Sequence, residues 1–140
     1  MATITVFSEP DWGDVVVEPV ERYMLSRQWG PSVDPNMRRF LEAIVSGIVQ
    51  YRPRYAIADF SKATGQPSVA DLEWIKSQVP RTAGAGCLYQ VNVPPAGAFT
   101  KMAMHAVGNV EAQYGITTVI VANLAAALAY VQNERRLAAK

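Results

Sequence analysis

The 140-residue chain carries 13 Lys and Arg against 12 Asp and Glu, a formal net charge of +1, with 50% of its residues apolar and 18% charged. That length supports one domain with its own core, without disulfides or a structural metal, and the small net charge with no Lys/Arg run excludes the broad positive field of a nucleic-acid binder. Cys87 is the single cysteine, which excludes a disulfide framework and a cysteine zinc cluster. No 18-residue apolar run occurs and the first residues lack the basic-then-apolar order of a signal peptide, so the expectation is a soluble, cytoplasmic protein folded as one domain over residues 1–140.

In chain order, Ile4, Val6 and Val15 to Val17 have strand propensity, and Pro10, Asp11 and Gly13 punctuate a turn between them. Val15 to Gly30 reads as two strands joined near Pro19 to Arg22. Pro19 limits ladder hydrogen bonding and suggests an edge, while Trp29 and Gly30 close the second strand. A first helix is predicted from Asp34 and Pro35, a capping residue followed by a residue suited to the first helical position. Met37, Phe40, Leu41, Ile44, Val45 and Ile48 form its apolar stripe, and Pro53 stops it.

Tyr55 to Phe60 is a short apolar run, as expected for a strand covered on both faces, with Asp59 at its exit. Ser68 and Asp71 then match a capping box, so a second helix begins at Val69. Leu72, Ile75 and Val79 form its stripe, and Pro80 is expected to end it. Cys87 to Pro94 is a further strand. Phe99, Met102, Ala103, Ala106, Val107, Val110 and Tyr114 hold helical spacing up to a Gly115 cap. Thr117 to Ala122 is the last strand, and Asn123 caps a final helix whose stripe is Leu124, Leu128 and Val131, with Glu134 to Lys140 expected to fray. Strands alternating with helices predict right-handed crossovers and a largely parallel α/β sheet with an N-terminal antiparallel hairpin and about four helices.

The hairpin ending in Trp29-Gly30, the strand ending in Asp59, the helix carrying Glu73-Trp74, the Pro80 to Gly86 approach and the Thr117 to Val131 strand–helix ending resemble the bacterial SpoIIAA-like, or STAS-like, domains, which are related in shape to CRAL-TRIO lipid-transfer domains. The resemblance spans about Val15 to Gln132 and implies four βα units wound as a superhelix. It further implies a non-enzymatic regulatory or protein-interaction module. In the anti-sigma-factor antagonists of that superfamily, a Ser at the start of the helix after the central strand is phosphorylated to switch partner binding. Ser68 occupies a similar place and is the candidate phosphosite, although Gln66 to Asp71 replaces the family's Asp-Ser-Ser-Gly segment.

In open α/β sheets ligands and partners dock beyond the carboxyl ends of the strands, which makes Asp59, Ser61 and Ser68 candidate binding residues. Each has a structural alternative: Asp59 can satisfy its own turn, and Ser68 can cap its helix. Trp29 and Trp74 are either core residues or, with Met102 and Met104, the lining of a pocket for a small apolar ligand or lipid, the alternative function. His105 lies off its helix's apolar stripe, Cys87 is expected in the core, and Gly84-Ala85-Gly86 precedes a strand rather than opening a helix, which excludes a dinucleotide loop. No catalytic residue, metal or cofactor is predicted. The hairpin edge leaves self-association open.

Overall fold

The computed structural model describes residues 3–96 and 98–139, the side chains of 98–100 excepted. Three strands, β1 (Ile4–Glu9), β2 (Gly13–Glu18) and β3 (Tyr23–Gln28), form an antiparallel meander. Four βα units follow: β3 with α1 (Asn36–Tyr51), β4 (Tyr55–Asp59) with α2 (Val69–Gly84), β5 (Tyr89–Val93) with α3 (Ala98–Gln113), and β6 (Thr117–Ile120) with α4 (Leu124–Ala138). The sheet order is β1-β2-β3-β4-β5-β6, with β3 to β6 parallel. Successive right-handed crossovers stepping in one direction place α1, α2 and α3 on one face. The last helix, α4, packs on the other face against β4 and β5.

The two faces build two cores. On the three-helix side Phe40, Met24, Val15 and Val17 pack with Trp12, whose indole N–H donates to the Pro31 carbonyl at 2.7 Å. A Cβ on Gly30 would stand 2.4 Å from the Trp12 ring, so the chain passes Trp12 there only as glycine. On the α4 side Tyr55, Ile57, Val91 and Val93 meet Ala127 and Val131, and Tyr55 stacks on Tyr89 with ring centroids 5.3 Å apart.

The mixed α/β sheet with its N-terminal hairpin and four helices follows the sequence reading, and several local expectations are corrected. Pro19 lies in the turn after β2, and β2 is an interior strand with β1 as the edge. The first helix starts at Asn36, with Asp34 Oδ1 accepting the Arg38 N–H at 2.9 Å. Pro80 does not end α2. Its exposed position loses only the backbone bond toward Lys76, and the chain beyond it is held by buried Thr82, whose hydroxyl donates to the Val79 carbonyl at 3.1 Å. The segment from Glu134 stays helical to Ala138, because Tyr89 donates to Glu134 and Arg135 pairs with Glu21. In α3 the inward face is rotated from the predicted stripe: Met104 and Glu111 are buried, whereas Met102 is 68% exposed. The Phe99 side chain lies outside the described residues. Ser68 and Asn123 cap α2 and α4 as expected, accepting the N–H of Asp71 at 3.0 Å and of Ala126 at 2.8 Å.

Candidate functional site

Alternation along the strands decides what faces α1, α2 and α3. In β3 these positions are Met24, Ser26 and Gln28, in β4 Ala56 and Ala58, and in β5 Gln90 and Asn92. Sheets under a helical layer ordinarily present branched apolar residues that fill the gap to native density. Here Ser26, Ala56 and Ala58 present short side chains, and a cavity of about 130 Å³ lies between the sheet and the helices.

Its apolar walls come from three helices: Met37, Leu41, Ile44 and Ile48 of α1, Leu72, Ile75 and Val79 of α2, and Ala103, Met104 and Val107 of α3. Its polar groups sit mainly on the floor. Ser26, Ala58 and Asn92 are consecutive partners across the β3-β4-β5 ladder, so Ser26 and Asn92 are about 10 Å apart at two strand spacings. Gln90 Nε2 donates to Asn92 Oδ1 at 2.9 Å, and Gln28 Nε2 donates to the Gly30 carbonyl at 3.0 Å and to Ser32 Oγ at 2.8 Å.

Glu111 closes one side. It is 7% exposed, and its carboxylate accepts from Thr118 Oγ1 at 3.0 Å. Burial disfavours the charged form and pushes the Glu111 carboxyl from 4.5 up to about 7, against the hydrogen bond from Thr118, which favours ionisation. The Cys87 thiol is buried as expected, and desolvation, together with the nearby Glu111, pushes it up to about 12.

Asp59, Ser61 and Ser68 do not meet in this cavity. Asp59 Oδ1 accepts from the Ser61 N–H at 3.0 Å and from its hydroxyl at 2.7 Å, closing the loop after β4 on itself. Ser68 is exposed at the start of α2. Three residues on, Asp71 is fully buried and accepts from Arg38 Nε at 2.8 Å, tying α2 to α1. An isolated bridge between Pro31 and Thr64 joins the loops after β3 and β4 at the carboxyl edge of the sheet.

The alternative pocket lined by Trp29, Trp74, Met102 and Met104 does not form as a unit: of these only Met104 lines the cavity. Trp29 instead donates its indole N–H to the Pro10 carbonyl at 3.0 Å, with the Arg27 guanidinium over its ring. Trp74 packs on the core with Arg38 5.1 Å from its ring centre. Met102 points outward because the helix presents Met104, Val107 and Glu111, spaced by three and four, to the sheet. His105 is exposed over a separate shallow groove with Asn109 and Thr117. Sequence reasoning passed over Trp12, Gln28, Gln90, Asn92 and Glu111. The signal was present in β5, where Gln90 and Asn92 alternate with apolar residues on a strand that must be covered on both faces.

An antiparallel hairpin continued by four parallel βα units, with three helices over one face and the fourth over the other, is an α/β architecture of the SpoIIAA-like fold. A solved structure described as an uncharacterised protein of the DUF3478 family with a SpoIIAA-like fold, from Shewanella loihica PV-4, is similar to this chain with a TM-score of 0.53. The match covers 93% of this chain and 92% of that one, at 12% sequence identity. No family model and no curated protein sequence matches this chain. Among the described residues no helix is long and apolar enough to cross a membrane, and no group of three or more His, Cys, Asp or Glu is placed to hold a metal ion.

Proposed function

We propose that this chain is a non-enzymatic SpoIIAA-like binding module whose ligand occupies the cavity between the sheet and α1, α2 and α3. The observation that carries the reading is the cavity itself. The fold keeps about 130 Å³ of accessible space over short side chains on the sheet, where Leu or Val at position 58 would remove much of it. The preference for binding over catalysis rests on the lining, whose one ionisable group among the described residues is Glu111. Native mass spectrometry of protein freshly purified from its own cells, beside a denatured spectrum, tests the reading. The expected result is a non-covalent adduct that is lost on denaturation and lost from the Ala58→Leu variant. Bare protein, or an adduct retained by a folded Ala58→Leu variant, refutes it.

A second reading, a partner-binding surface at the carboxyl ends of β3 and β4, is favoured by one observation. Val33 and Val69, 60% and 77% exposed, flank the loops joined by the Pro31–Thr64 bridge, beside Ser61 and Ser68. This reading expects Ser68→Asp, which keeps a competent cap, to change retention of a protein partner without lowering thermal stability. Unchanged retention at unchanged stability counts against it.

A further inference from the structure

The chemistry of the cavity lining narrows its occupant, given the ligand-binding reading above. Its volume of about 130 Å³ is near that of an apolar cavity which accepts one benzene, roughly 150 Å³, so a single ring fills it. Among the described residues no Lys, Arg or His lines it, and Glu111 is the single ionisable wall group. A carboxylate or phosphate ligand would enter a low-dielectric space without a counter-charge, beside another acid, which selects against anions.

The floor supplies direction. Gln90 and Asn92 stand two residues apart on one face of β5, and Gln90 Nε2 donates to Asn92 Oδ1 at 2.9 Å. A primary amide carries an oxygen with two lone pairs and a nitrogen with two N–H groups, so the groups this contact leaves wholly unused are the Gln90 oxygen, an acceptor, and the Asn92 nitrogen, a donor. Reversing the contact leaves the same complement, one acceptor and one donor, with the residues exchanged. Their ladder neighbours on β4 are Ala56 and Ala58, whose side chains have no polar atom to compete. Gln90 is only half-buried although it lies mid-sheet beneath the helices. Opposite this polar strip stand Ile75, Val79 and Met104, which suit the apolar face of a ring.

We propose that the cavity takes an uncharged single-ring molecule presenting a hydrogen-bond donor and acceptor side by side on one edge, of the lactam or pyrimidinone class, read by the Gln90–Asn92 amide pair. The test is an NMR titration of the isotope-labelled full chain with 2-pyridone, benzene and benzoate as separate probes. The expected result is that 2-pyridone shifts the Gln90 and Asn92 side-chain amide signals and binds at least about tenfold tighter than benzene, the return on one to two net hydrogen bonds. Benzoate is expected to leave those signals in place. Gln90→Leu, of similar volume, brings 2-pyridone to the benzene level while benzene binding persists, and Asn92→Leu repeats the test should the first variant fold poorly. Benzene binding as tightly as 2-pyridone, or benzoate binding as well, overturns the assignment of ligand class and leaves the cavity as a ligand site. Titrations in which none of the three probes moves any cavity signal overturn both.

Discussion

Glu111 makes stability depend on pH in a direction opposite to that of a salt-bridged carboxylate. Its carboxyl is held near 7 in the folded chain against 4.5 for an unperturbed group, because the folded environment resists ionisation. Between those values the native state binds more protons than the unfolded state, so stability falls as pH rises. The stability associated with Glu111 is complete below pH 4.5, declines across the interval to about 7 and is flat above it. Each pH unit of that interval is worth about 1.4 kcal/mol, so the whole change is about 3 kcal/mol. The perturbation is Glu111→Gln, which keeps the size and the acceptor for Thr118 Oγ1 and removes the charge. The assay is urea unfolding of both proteins across the interval, taking the difference so that contributions from groups other than Glu111 cancel. The variant should match the wild type at the acid end and exceed it by about 3 kcal/mol at the neutral end. A difference independent of pH, or one growing toward acid, refutes the assignment of a buried, reluctantly ionised Glu111.

Three further outcomes follow from named contacts. Arg38→Leu leaves Asp71 buried without its cation and should cost about 3 kcal/mol or more, whereas Asp71→Asn leaves a partly exposed Arg38 that water can solvate and should cost less; equal costs in chemical denaturation would contradict this asymmetry. Ser68→Ala removes the acceptor for the Asp71 N–H and should lower stability by about 1 kcal/mol, while Ser68→Asp stays close to wild type; the check is the urea midpoint of each variant. Cys87, its thiol pushed up to about 12 and its side chain buried, should be alkylated by iodoacetamide only as the chain unfolds, and native labelling as fast as in denaturant would refute its placement.

The features that sequence made legible are those fixed within a few residues. Ser68 and Asn123 cap their helices because a side-chain oxygen reaches an N–H three residues on, a geometry independent of the rest of the fold. The φ of +85° at Gly115 and the stripe from Met37 to Ile48 are likewise set by local backbone sterics and by the helical repeat. Alternation of these elements then determined the parallel α/β order, since right-handed crossovers leave few other arrangements. Tertiary packing decided the remainder. Pro80 is accommodated because buried Thr82 and the core hold the helix on both sides of it, and the chain after Glu134 stays helical through contacts with Tyr89 and Glu21, far away in sequence. The inward face of α3 passes through Met104 and Glu111 rather than Met102, a rotation tied to β6 by the hydrogen bond from Thr118 to Glu111, which no spacing of apolar residues along the helix reveals. The cavity is the clearest case: Ser26, Ala56, Ala58, Gln90 and Asn92 are unremarkable one strand at a time, and only the register of β3, β4 and β5 beneath three helices gathers them on one floor. A void is a property of residues that fail to meet, and such a failure depends on distances that no single stretch of chain encodes.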